Sequence, residues 1–312
     1  MGADLRSVKA QTPAGATTDG WAAGVGALPT FFIVGAAKAG TTSLHYYLDQ
    51  HPEVQMSVNK EPDFFSGPEN GIPYLGQRVE RLDEYEQLFD PAFAVRGEAS
   101  VSYTTHPRRA GVPERIKELV PKGKFIYVVR DPIERTLSQY QQRVAIGGER
   151  RSLREVLGDL SDPYSVCICR SLYATQLDLY LRQFPQESVL VVDQADLLAD
   201  RQSTLREIFG FLQVDDTVDS SQFDIEILKS SERRVYPLGL ARFVRNTVRP
   251  HSRWMPRSVR QALRVSMERA LLRPLQTVEL DEELRCRLQD LYAGEVGRLR
   301  ALTGKTFSSW SV

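Results

Sequence analysis

A lone lysine stands in a run of small residues, Gly35-Ala36-Ala37-Lys38-Ala39-Gly40, with apolar Phe31-Phe32-Ile33-Val34 before it and Thr41-Thr42-Ser43 after it. Small residues let backbone N–H groups approach an anion closely. An ammonium adds countercharge, and hydroxyl residues opening a helix sit at the positive end of its dipole. Such a stretch suits the holding of a phosphate and the stabilisation of charge growing on it during group transfer. Compared with the nucleotide-triphosphate pattern G-x-x-x-x-G-K-[ST], Gly35, Gly40 and the hydroxyl at Thr42 are kept, but Thr41 occupies the lysine's place. Lys38, inside the loop, would reach an oxygen bridging a nucleotide phosphate to the transferred group. A plain strand-to-helix turn explains the same residues, so a second motif has to choose between the two.

That motif is Arg130-Asp131-Pro132-Ile133-Glu134-Arg135-Thr136-Leu137-Ser138, directly after apolar Phe125-Ile126-Tyr127-Val128-Val129. Asp131 reads as an N-cap, Pro132 as a first helical residue and Glu134 as a capping-box acid. Arg130 then lies at the carboxyl end of a strand, and Ser138, in the second helical turn, can share with it a second phosphate of the same nucleotide. Taken singly, they read as an ion-paired arginine and a solvated serine. Alongside the first loop, they read as its companion.

The elements that must position these residues alternate. Residues 31–34 form a buried strand, and Leu44, Tyr47 and Leu48 follow at helical spacing. Residues 53–58 predict a second strand, from whose carboxyl end Asn59-Lys60-Glu61-Pro62-Asp63-Phe64-Phe65 leaves. Ligands of open α/β sheets bind at that end, so Glu61 falls beside the transferable group, with Lys60 before it and Asp63 as a spare carboxylate. Phe64 and Phe65 fit either a cavity wall or the core. Residues 67–76 read as a loop over an acceptor cleft and 82–89 as a short helix. A strand over 95–98 delivers Ser100, Ser102, Tyr103, Thr104 and His106 to the same face, where His106 is a second candidate base. Helices follow over 113–119, from Pro132 to residue 145, over 172–184 and up to Leu212, with a strand at 189–192. The charged stretch 149–162 reads as a mobile surface excursion, and 281–302 as a final amphipathic helix. The expected fold is α/β, a P-loop-like parallel sheet covered by helices on both faces, with a helical C-terminal extension.

Gly35-x-x-Lys38-x-Gly40-Thr41-Thr42-Ser43-Leu44, His51-Pro52, Lys60-Glu61-Pro62-x-Phe64-Phe65 and Arg130-Asp131-Pro132-x-Glu134-Arg135-x-x-Ser138 occur in that order. Together they resemble the PAPS-dependent sulfotransferases, especially the branch holding the heparan sulfate sulfotransferases and their bacterial relatives. The resemblance implies that Lys38, Ala39, Gly40, Thr41, Thr42 and Ser43 grip the 5′-phosphosulfate and that Arg130 and Ser138 grip the 3′-phosphate. It also implies that Glu61 deprotonates the acceptor, with Lys38 as the second catalytic group and no metal. Related enzymes close a basic segment over the 3′-phosphate. Lys229-Ser230-Ser231-Glu232-Arg233-Arg234 occupies that region without the glycine typical of the loop, which makes Arg233 and Arg234 candidate contacts. A nucleotide-triphosphate kinase would need a lysine after Gly40 and a magnesium-binding acid at a strand end. A non-catalytic nucleotide-binding module would have no use for Glu61.

Composition bounds the rest. The 312 residues are 42% hydrophobic and 26% charged, with 40 basic and 40 acidic residues cancelling, which argues against bulk nucleic-acid binding. Cys167, Cys169 and Cys286 lack metal-ligand spacing and read as buried thiols of a reducing compartment. Residues 1–28, rich in Gly, Ala and Thr, read as a disordered tail ahead of a single domain over 29–312, comprising an α/β core (29–230) and a basic helical part (231–312). No run is long enough for a membrane span, unlike the anchored Golgi members, so the expectation is a cytoplasmic enzyme of bacterial type. Between 233 and 273, eleven arginines face one acid, Glu268. The stretch suits a solvated helical face, an anionic acceptor or peripheral contact with a membrane. Carbohydrate, glycolipid and small natural product all fit as acceptors, and no segment specifies an oligomeric state.

Overall fold

Phe31, Phe32, Ile33 and Val34 expose at most 1% of their surface, the expected state of an all-apolar strand in mid-sheet. In the computed structural model, β1 (Phe31–Gly35) is the central strand of a five-stranded sheet. The others are β2 (Val54–Met56), β3 (Val95–Ala99), β4 (Lys124–Val129) and β5 (Val189–Asp193), in the order β2-β3-β1-β4-β5 and all parallel. The structure describes residues 27–67, 78–219, 223, 278 and 280–312, together with the backbone of 234–235 and 273–274, which pair antiparallel.

From β1 the chain passes through α1 (Thr41–Leu48) to β2, then through α2 (Leu82–Glu86) to β3. From β3 it crosses by α3 (Val112–Leu119) to β4, on the other side of β1. The winding therefore reverses at β1, and a crevice opens at the carboxyl ends of the strands beside it. Packing across β1 demands a glycine on its neighbour: a Cβ on Gly97 would lie 2.1 Å from the Phe31 ring.

The remaining helices are α4 (Pro132–Ala145), α5 (Leu153–Val156), α6 (Tyr173–Leu181), α7 (Gln194–Ala199), α8 (Arg201–Leu212) and α9 (Glu282–Thr303). Helix α9 belongs to the core. The Tyr292 hydroxyl shares a 2.8 Å hydrogen bond with Thr136 on α4, and Glu295 accepts from the Thr175 N–H and hydroxyl on α6 at 2.9 and 2.7 Å.

Several expectations shift. The helix expected to reach residue 184 ends at Leu181, and the one expected up to Leu212 is α8, preceded by the separate short α7 and capped by Asp200, whose carboxylate accepts from the Ser203 N–H at 3.0 Å. The stretch 149–162 is anchored. Glu149 accepts from Arg151 at 2.9 and 3.0 Å and from Arg143 at 3.4 Å; the Arg151 side chain first, then the Arg151 and Arg150 N–H groups, hold its carboxyl at about 2. Ser152 and Glu155 form a capping box, and Leu153 and Leu157 are buried. Cys167 and Cys169 are buried as expected, but Cys286 is exposed on α9. No helix among the described residues is long and apolar enough to cross a membrane. The expectations for residues 1–26, for 68–77, for Arg233 and the Arg234 side chain, and for the basic stretch to 273 lie outside the described residues.

Candidate active site at the carboxyl edge of the sheet

The loop after β1 is pinned from both sides. A Cβ on Gly35 would fall 2.1 Å from Thr104 Oγ1, the hydroxyl that donates to the Val34 carbonyl at 2.9 Å. On the other side, the Ala36 N–H donates to the Val128 carbonyl of β4 at 2.6 Å. Lys38 (φ +75°) and Gly40 (φ +94°) then turn through left-handed conformations into α1. Among the described residues no side chain caps that helix, and no acid occupies its first turn. The N–H groups of Thr41, Thr42 and Ser43 thus open α1 without a carboxylate, beside a lysine, as an anion-binding turn requires. Gln194, which opens α7, lies against this turn, its Nε2 3.2 Å from where a Gly40 Cβ would be.

Two residues past β1's neighbour β4, Asp131 caps α4 by accepting from the Ile133 and Glu134 N–H groups at 2.9 and 3.0 Å. The capping box expected of Glu134 does not form. Its carboxylate instead accepts from Arg130 Nη2 at 2.8 Å, because a guanidinium one turn away is a stronger donor than a backbone amide. That pair is exposed on the glutamate side, so Arg130 can exchange partners at little cost. The Tyr173 hydroxyl fixes the Arg130 carbonyl at 2.7 Å, and Ser138 lies buried on α4.

On the other side of β1, the segment after β2 stays bound to β3: the Glu61 N–H donates to the Ala99 carbonyl at 3.0 Å. Glu61 (φ +61°) accepts from Lys60 Nζ at 2.7 Å, and its side chain is 42% exposed, open to solvent. Asp63 is no spare carboxylate. It is buried, accepts from the Ser102 and Ser66 hydroxyls, and its N–H donates to Ser100 Oγ at 3.1 Å. Phe65 belongs to the core, edge-on to Phe32 and Tyr85, and Phe64 stacks on Tyr85 at 4.3 Å. The His106 backbone is clamped by Gln176, which accepts from its N–H at 2.9 Å and donates to its carbonyl at 2.8 Å.

Two titratable groups beneath the edge escaped sequence reasoning. Glu98 of β3 is fully buried, and its Oε2 accepts from the Tyr85 hydroxyl at 2.6 Å. Burial pushes its carboxyl up to about 7, against hydrogen bonds from Tyr85 and Tyr103. His45 of α1 buries Nε2 without a hydrogen-bond partner among the described residues. Burial, and then the charge of Lys60, lower its imidazole to about 4. A helical position one turn after Thr41 was the available signal for His45. For Glu98 nothing local distinguished a buried acid from a solvated one.

A parallel sheet reversing at β1, with a lysine-bearing turn there and an arginine at the end of β4, defines an α/β protein of P-loop-like design. The family model described as the sulfotransferase domain matches residues 28–237, well over half of the chain, and the chain belongs to the sulfotransferase family. A solved sulfotransferase from Alicyclobacillus acidocaldarius superposes with a TM-score of 0.66 at 27% identity, over 92% of this chain and all of that one. Among curated relatives, bifunctional heparan sulfate N-deacetylase/N-sulfotransferase 2 of Bos taurus is 28% identical over 203 residues, 60% of this chain and 22% of that protein. Heparan sulfate glucosamine 3-O-sulfotransferase 3A1 of Mus musculus is 29% identical over 204 residues, 63% of this chain and 48% of that protein. The chain thus spans less than half the length of either.

Proposed function

We propose that the chain, as one catalytic domain over residues 29–312, moves a sulfuryl group from PAPS to a hydroxyl or amine and releases adenosine 3′,5′-bisphosphate. PAPS supplies the activated sulfuryl group. The Thr41, Thr42 and Ser43 N–H groups and Lys38 would hold its 5′-phosphosulfate, with Ala39 and Gly40 letting the backbone close on it. Arg130 and Ser138 would hold the 3′-phosphate. Lys38 and the helix start offset charge on the departing phosphate oxygen, preorganised electrostatics of the kind that dominates group transfer. Glu61 takes the acceptor's proton, and Lys60, paired with it at 2.7 Å, orients it.

The observation that carries this reading is the division of charge along the carboxyl edge. An uncapped helix start with Lys38 follows β1, Arg130 follows β4, and the solvent-open Glu61 follows β2. Carbohydrate, glycolipid and small natural product are the acceptor classes to screen. Incubation with ³⁵S-labelled PAPS and a panel of these classes should label at least one. Tight binding of ATP, phosphoryl transfer and no sulfate transfer would instead support a kinase.

A further inference from the structure

The segment after α9 returns to the carboxyl edge. Ser311 donates its N–H at 2.5 Å and its hydroxyl at 2.7 Å to Asp131 Oδ2. Trp310 Nε1 donates at 3.0 Å to Asp193 Oδ2, at the end of β5. Each aspartate meanwhile uses Oδ1 to cap the helix that follows it, α4 for Asp131 and α7 for Asp193. The buried Trp310 stacks on Phe307 at 4.4 Å and packs 5.8 Å from Tyr173. Tyr173 is the residue whose hydroxyl holds the Arg130 carbonyl. Gln289 and Arg300 of α9 secure the segment through the Ser311 and Val312 carbonyls, both at 2.9 Å.

The electrostatic consequence falls on Arg130. Asp131 is its chain neighbour, and without two donors its Oδ2 would be a bare carboxylate oxygen at the same strand end. Such an oxygen competes for the guanidinium and repels an incoming phosphate. Two donors on Oδ2 quench that competition, leaving Arg130, among the described residues, with the exposed and exchangeable Glu134.

We infer that Ser311, anchored by Trp310, is a positioning residue of the 3′-phosphate site: it occupies Asp131 so that Arg130 keeps its charge for the nucleotide. The inference rests on the donor reading above, and calorimetry on the full chain tests it with two nucleotides, adenosine 3′,5′-bisphosphate and adenosine 5′-monophosphate. Ser311→Pro removes both donors and should weaken the bisphosphate on the order of tenfold while changing the monophosphate by less than about twofold. Ser311→Ala, which keeps the N–H, should lose about threefold in the same direction, and Ser311→Thr should match the unsubstituted chain. A packing role would lower thermal stability and both affinities together, leaving their ratio unchanged. That outcome in Ser311→Pro, or in Ser311→Ala should the proline variant not fold, overturns the inference. If the unsubstituted chain does not itself prefer the bisphosphate, the donor reading fails first and the inference with it.

Discussion

Two helices begin at neighbouring strand ends, and their N-termini are built in opposite ways. At α4, Asp131 caps two N–H groups with one oxygen and takes two donors from Ser311 on the other, so that end is saturated by the protein itself. At α1, no side chain among the described residues caps the helix and no acid enters the first turn. An end that folding alone had shaped would gain about 1 kcal/mol from an N-cap. On the proposed function, forgoing it at α1 would keep N–H groups for the donor, and the saturated end of α4 would hold Arg130 and Ser138 in place.

Five substitutions or treatments test this contrast. The largest effect is expected at Glu61, which serves neither helix. Glu61→Gln keeps the size of the side chain but cannot take a proton, so turnover should fall by about a hundredfold or more, with donor affinity and thermal midpoint unchanged. Retention of most turnover would move the base to another residue, with His106 the next to replace.

Among the carboxylates, buried Glu98 is the counterpart of open Glu61. Its folded value of about 7 lies above the 4.5 of an ordinary glutamate, so the folded state binds the extra proton between those values. Stability therefore falls as pH rises from 4.5 to 7, a loss of about 3 kcal/mol at most. Glu98→Gln should remove this component: its thermal midpoint relative to the unsubstituted chain should climb across that window and level off above it. A constant offset from pH 4 to 8 would show that Glu98 titrates normally.

The helix ends themselves can be exchanged in character. Asp131→Ala should cost about 1 to 2 kcal/mol of stability by uncapping α4, read as a lower midpoint in denaturant. Thr42→Asp, which places an acid in the first turn of α1, should leave the fold as stable or raise it by about 0.3 to 1 kcal/mol, yet abolish donor binding. A Thr42→Asp variant that still binds donor would refute the role assigned to the α1 end. The smallest effect is on chelation. Lys38 supplies the loop's cation, so sulfate transfer should persist in EDTA, whereas loss restored by magnesium would point to a metal-dependent reaction.

The elements that build the site were legible because buried parallel strands are unbroken apolar runs. The stretches 31–34 and 125–129 appear as such, and turn residues mark the exits that carry Lys38 and Arg130. Cap chemistry was half legible: Asp131 caps as its position before Pro132 predicts, whereas Glu134 turns to Arg130, a competition that spacing alone does not rank. What stayed hidden depends on partners distant in sequence. Glu98 lies in Val95-Arg96-Gly97-Glu98-Ala99, which reads as a half-polar strand until Tyr85 and Tyr103 close over it. Glu149 begins a charged stretch that looked solvated because its pairing with Arg143 and Arg151 is three-dimensional. Ser311 and Trp310 give no local sign of bonding to residues more than a hundred positions earlier.

The central claim is the division of labour between the two strand ends, and Arg130→Ala tests it most directly. Adenosine 3′,5′-bisphosphate and adenosine 5′-monophosphate differ only in the phosphate assigned to Arg130. Calorimetric titration of the variant should show the bisphosphate weakened by about 1.5 to 3 kcal/mol, the range for a charge-assisted hydrogen bond, with the monophosphate almost unaffected. Equal losses for both nucleotides would contradict the account and make Arg130 a structural residue.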